Sequence, residues 1–258
     1  MIEKRVSKVI KKTKGMKAAE KKPGSLLSGN KVTGYSVNFP IAGTCQPTKL
    51  CVETCYYAAG ATTWNASLRK QLWLMEQCIE NPVNFAEGIV KEYRKKKLDY
   101  LRWNGGGDLF PSSVEALNHI GEHYPDVVIW IVTRIPEMAA LVGNYESLHL
   151  HFSLDAHSLE RRDKALALVS RPIFFSYQCG KGEQPDTEYL TTNHGVSLFF
   201  FDNYYLTSPV YEEKFKQFLC PLNLNRTNTG DISGSCGECR RCFNGHWLTV
   251  GDEMKVIE

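Results

Sequence analysis

Three cysteines stand within eleven residues, Cys45, Cys51 and Cys55, separated by five and then three positions, with Tyr56 directly after the last. Thiolates crowded into so short a loop suit a metal better than a core, because several sulfurs can converge on one small site. Three of them can grip three irons of a [4Fe–4S] cubane and leave the fourth iron to another ligand. Zinc is the rival, although zinc loops favour two-residue spacings and this loop has none; burial for packing is the third reading. A second group follows near the carboxyl terminus: Cys220-Pro221, then Cys236, Cys239 and Cys242 at two-residue spacings among Gly234, Gly237 and Gly245. Four cysteines complete either a [4Fe–4S] cluster or a structural zinc site, so both stay open there. The full count of nine cysteines in 258 residues is odd, and the chain is no small secreted domain, so a disulfide framework explains them poorly. One or two [4Fe–4S] clusters are therefore expected. Cys179 stands alone and is either a further ligand or a buried loop cysteine. Cys78 falls on a predicted helix and reads as core.

These residues need elements to position them. Tyr35–Phe39 alternates as a strand does, and Pro40 stops it. Helical spacing of Leu68, Leu72, Met75 and Ile79 predicts a helix over 62–80, and a second runs to about Lys97. Further strands are predicted at 100–103, 127–132, 148–154, 172–177 and 196–201, with helices between them and a last helix over 210–219. The near-continuous apolar run Val127–Val132 is what a strand buried on both faces shows. Six strands alternating with helices predict an α/β fold with a parallel sheet, an open barrel or a doubly wound sheet. After the strands come, in turn, the first cysteine group, Gly105-Gly106-Gly107-Asp108, Thr133-Arg134, Ser153 with Asp155, Cys179 and Asp202. In both architectures working sites lie at the carboxyl ends of the strands, so these features are expected to meet on one face. The glycine run lacks the Gly-Lys-Ser/Thr ending of a phosphate loop. His149 and His151 alternate in a strand and share a face, as core histidines or, less simply, a metal pair.

The three-cysteine loop after the first strand resembles that of the radical S-adenosylmethionine enzymes. The resemblance implies an open parallel (β/α)6 barrel over about 35–202. There a Gly-Gly-acidic motif after strand two meets the methionine amino group and polar residues after strand four approach the ribose. Gly105, Gly106, Gly107 and Asp108 occupy the first place and Ser153 and Asp155 the second. The cysteine spacing departs from that family's three-then-two pattern, and the aromatic follows the last cysteine instead of preceding it. A second resemblance is closer in wording. Asn30-Lys31, Phe39-Pro40-Ile41-Ala42-Gly43-Thr44-Cys45, Cys51, Cys55-Tyr56-Tyr57-Ala58 and the carboxyl-terminal Cys-x2-Cys-x2-Cys-Phe look like gene product 88, a phage and plasmid family. It implies a mobile-element protein.

Composition bounds the rest. Hydrophobic residues make up 43% and charged residues 23%, enough for a sizeable core, with no apolar run long enough for a membrane span. Residues 1–22 carry nine Lys or Arg against two Glu, or +7, which leaves −4 for the remainder of a +3 chain. No signal-peptide core interrupts them, so a cytoplasmic location is expected. The basic stretch reads as a solvated leader or as a weak nucleic-acid contact. The division expected is a basic leader and linker over 1–33, a partial β/α barrel over 34–209 and a cysteine-rich metal-binding extension over 210–258. Two functions compete: a radical-type iron–sulfur enzyme using S-adenosylmethionine, and a non-catalytic iron–sulfur or zinc protein of a mobile element.

Overall fold

The computed structural model describes residues 2–180, together with 183, 186, 189–191, 196–201, 220 and 236. Cys239, Cys242, Asp202, the helix expected over 210–219 and nearly all of the carboxyl-terminal extension lie outside these residues.

Seven strands form one sheet in the order β1 to β7. They are β1 (Ser28–Asn30), β2 (Gly34–Val37), β3 (Leu101–Trp103), β4 (Ile129–Thr133), β5 (Leu148–Leu154), β6 (Phe174–Cys179) and β7 (Val196–Phe201). β1 pairs antiparallel with β2, and every later pair is parallel. The strand order never reverses, as it must in a doubly wound sheet. Right-handed crossovers in an unreversed order put the helices on one face. The helices agree: α4 (Asn65–Glu80) touches α5 (Pro82–Lys95), α5 touches α6 (Pro111–His123), and α7 (Pro136–Ala140) touches α8 (Leu159–Leu168). Local chemistry sets the helix starts. Asn81 caps α5 by accepting from the Asn84 amide at 2.9 Å, and Pro82 opens its first turn.

The pleat divides the sheet into two faces. Val37, Leu101, Trp103, Ile129, Ile131, Leu150, Phe152, Phe175 and Tyr177 pack with Phe85, Ile89, Leu117 and Ile120 of the helices in one core. The alternate residues are mostly polar, Ser36, Asn38, Arg102, Asn104, Arg134, His151, Ser153, Ser176 and Gln178, with Trp130, Val132 and Phe174 among them. Ser36, Asn38, Asn104, His151 and Ser176 are nonetheless buried. Burying polar groups demands partners, and the sheet supplies some itself. Trp130 Nε1 donates to His151 Nδ1 at 3.1 Å, and His151 Nε2 lies 2.5 Å from Ser176 Oγ. An indole only donates, so Nδ1 accepts and the proton sits on Nε2. His151 is a core histidine, not half of a metal pair with His149.

Two expectations need correction. The amino-terminal segment is not simply a solvated leader: Ile2–Lys14 is helix α1, with Val6, Val9 and Thr13 buried. Its high charge hid an apolar seam at positions i, i+3 and i+7. The linker before Gly34 contains β1, too short and polar to show an alternating pattern. Asn30 Oδ1 closes the hairpin by accepting from the amides of Val32 and Thr33 at 2.8 and 3.1 Å, and Gly34 takes φ +75°.

Candidate metal centre at the carboxyl ends of the strands

The segment between β2 and α4 bears the first cysteine group as a chain of single turns: α2 (Ile41–Thr44), α3 (Lys49–Thr54) and 3-10 turns at Tyr56–Ala58 and Gly60–Thr63. So short a helix has little stability of its own, and three threonines fasten the loop to the strand ends. Thr44 Oγ1 donates to Pro40 O at 2.6 Å and accepts from the Asp108 amide at 3.1 Å. Thr48 caps α3, accepting from the Cys51 amide at 3.1 Å and donating to Asp155 Oδ2 at 2.5 Å. Thr54 Oγ1 donates to Leu50 O at 2.8 Å and accepts from Gln178 Nε2 at 2.7 Å. The loop is thereby held beyond β3, β5 and β6.

Arg134, just after β4, joins these anchors. Its Nη1 donates to Asp155 Oδ2 at 2.6 Å, its Nη2 to Gln178 Oε1 at 2.9 Å and its amide to Asp108 Oδ2 at 3.2 Å. Asp108 Oδ1 also accepts from Thr133 Oγ1 at 2.6 Å and from the Leu109 amide at 2.8 Å. Burial lifts the Asp108 carboxyl to about 6 in spite of these bonds. Burial pushes Asp155 upward too, but attraction to Arg134 and the bond from Thr48 outweigh it and leave that carboxyl below its ordinary value.

The three thiols lie close enough for each ionisation to be felt by a neighbour. Burial raises Cys45 well above the usual thiol value, and Asp108, Cys51 and Cys55 raise it further. Burial also raises Cys51, against the pull of Arg134. At Cys55 burial is opposed by the backbone N–H groups of Ala58 and Tyr57 and by Arg134. Burial is the largest cause at all three and disfavours the thiolates, a cost that a bound cation would offset. Among the described residues no group of three or more His, Cys, Asp or Glu side chains is already drawn together as a metal-ligand set. The donor chemistry fits a soft metal, and the loop would have to tighten around it.

The glycine run serves the loop at close quarters. A Cβ on Gly106 would meet the Tyr57 ring at 2.2 Å, and one on Gly105 would meet Asn38 Oδ1 at 2.3 Å. Gly107 has φ +81°, and Tyr56 donates its hydroxyl to Gly105 O. These glycines let the aromatic end of the cysteine loop sit directly on the backbone after β3.

Asp108 and Asp155 thus join the first cysteine group, as the sequence suggests, while Ser153 stands partly exposed on the polar face. Whereas Cys45 and Cys55 pack against a separate, smaller cluster, Cys179 is buried in the core cluster with Phe175 and Tyr177. Cys78 also packs in that core, where burial pushes its thiol up to about 12. Cys220 is buried and Cys236 partly exposed, and the Cys236 amide donates to Val32 O at 2.8 Å, near the β1–β2 hairpin. Sequence reasoning gave Thr44, Thr48 and Thr54 no role in the site. Their one signal was position, since Thr44 and Thr54 each immediately precede a cysteine. No helix among the described residues is long and apolar enough to cross a membrane.

A family model described as gene product 88 matches residues 4–245. A search of curated proteins and a search of solved structures each return no match.

Proposed function

We propose that this chain, which belongs to the gene product 88 family, is an iron–sulfur protein of radical S-adenosylmethionine type. In this reading Cys45, Cys51 and Cys55 hold a [4Fe–4S] cluster at the mouth of an open (β/α)6 barrel. The unreversed strand order and the buried polar face support the barrel. One observation carries the reading: three thiols share one loop beyond the strand ends, while Cys179 is buried in the core cluster. A cluster on three thiolates keeps one iron for a small ligand and supplies the electron that radical chemistry on a sulfonium needs.

The chain's own groups have separate tasks. Arg134 offsets thiolate charge at Cys51 and Cys55, and the amides of Tyr57 and Ala58 do so at Cys55. Asp108 and Asp155, whose oxygens accept from protein donors, position Arg134 and the loop. Ser153, on the polar face, is the side chain left to meet a ribose. Cys220, Cys236, Cys239 and Cys242 hold a second cluster or a zinc ion. The engagement of both carboxylates favours a second reading, a non-catalytic iron–sulfur or zinc protein.

Iron, sulfide and zinc content with an optical spectrum, on protein purified without oxygen, tests this. About eight irons with absorption near 400 nm are expected. Cys51→Ala should lose about half of that iron and Cys179→Ala none. Equilibrium dialysis should then show S-adenosylmethionine bound by the wild type and not by Cys51→Ala. Zinc without iron, or full iron in Cys51→Ala, would overturn the assignment.

A further inference from the structure

Helix α1 has two faces of opposite character. The inner face is occupied: Val6 and Val9 pack with Ile41, Tyr57, Ala58 and Leu68. The outer face carries Lys4, Arg5, Lys8, Lys11, Lys12 and Lys14, all exposed. Among the described residues none of these cations forms an ion pair. Residues 4, 8 and 11 stand about one helical turn, roughly 5 Å, apart along the axis. Such a row of like charges opposes its own helix and is relieved by an extended polyanion.

A second feature lies beside it. Lys12 Nζ donates to Thr63 O at 2.8 Å, and the next residue is Trp64, 65% exposed. Leaving an indole in water forgoes a large burial gain, and here it stands at the edge of the cationic row. The pair of features discriminates among polyanions. A helix lies on a membrane by burying its apolar face in lipid, and that face of α1 is already buried in protein. An aromatic platform beside a basic track suits a single strand, whose bases are free to stack.

We propose that α1 and Trp64 form a binding surface for single-stranded nucleic acid, with the row Lys4, Lys8 and Lys11 on phosphates and Trp64 stacked on a base. The surface is independent of the metal reading: none of its residues is a proposed metal ligand, although Trp64 closes the segment that bears the cysteines.

The test is fluorescence anisotropy of labelled oligo-thymidine, oligo-uridine and a duplex with the full chain over a range of salt, with anionic vesicles in a parallel sedimentation assay. Binding of the deoxy strand, the ribo strand or both, tighter than duplex, is expected. Reversing Lys4, Lys8 and Lys11 to Glu should make the log–log salt slope shallower by about 2, at roughly 0.7 per phosphate contact. Trp64→Ala should weaken binding roughly 5- to 150-fold. All these positions are exposed, and unchanged thermal melts should accompany the losses. No strand binding at low salt, binding unmoved by either variant, or capture only by duplex or vesicles would overturn the proposal.

Discussion

Arg134→Met removes the group on which the site converges, and the structure allows its consequence to be worked out. The Arg134 side chain is 11% exposed and that of Asp155 0%, with 2.6 Å between Nη1 and Oδ2. The variant leaves a buried carboxylate with bonds from Thr48 and the His157 amide but no counter-charge. Breaking a buried pair from one side costs about 3–5 kcal/mol. Asp155→Asn strands the guanidinium and should cost a comparable amount. The double variant leaves neither Arg134 nor Asp155 stranded, so its loss should fall short of the sum of the singles by about 1–3 kcal/mol. The sign with pH follows from linkage. Burial raises Asp155, but Arg134 more than compensates, so its folded value lies below the ordinary 3.8. The pair therefore contributes stability in full above the ordinary carboxylate range, lost as pH falls through the depressed value. Without Arg134 the upward push of burial is opposed only by the bonds from Thr48 and the His157 amide, so the gap between wild type and Arg134→Met should widen as pH rises from acid to neutral. Urea unfolding of the four proteins across that range reads both effects. Additive single losses, or a gap that does not change with pH, would refute the account of Arg134 as the buried counter-charge.

Two more perturbations probe the polar face and the loop. His151, ordinarily near 6.5, is held at about 3 by burial and by Arg102 and Arg134. Below pH 6.5 the unfolded chain takes up a proton that the folded chain refuses, so wild type should lose about 1.4 kcal/mol per pH unit that His151→Gln does not; parallel curves of unfolding free energy against pH for the two proteins would contradict this. Gly106→Ala drives a methyl into the Tyr57 ring and should destabilise by about 1–3 kcal/mol, with faster alkylation of Cys45 and Cys55 as the loop lifts; unchanged alkylation would mean that Tyr57 does not seat the loop.

Much of this architecture was legible in the chain. A strand buried on both faces needs apolar residues on consecutive positions, so Val127–Val132 declared itself, while Leu148–Leu154 alternates apolar with polar residues, and β5 spans the expected residues. The first cysteine loop and its neighbours Asp108, Arg134 and Asp155 could be placed at strand ends because a strand-then-polar rhythm recurs. Helix α1 was obscured by its charge, because three inward residues among six cations give a weak pattern, and β1 by its brevity.

Other questions had only a tertiary answer. Period two puts Gln178 and Cys179 on opposite faces, but which of them meets the core depends on the register of β6 against β5 and β7. That register sends Cys179 into the core and Gln178 toward Thr54. The sequence likewise offered Gly105–Gly107 as a cofactor cradle; the fold brings Tyr57 and Asn38 against them, because residues nearly fifty or more apart for one and seventy or so for the other share a strand end. Local sequence determined which groups could be ligands, caps and strands, since those depend on neighbours in the chain. Which charges meet, which thiol enters the core and which face is buried were decided by contacts between distant segments, and those exist only once the sheet is assembled.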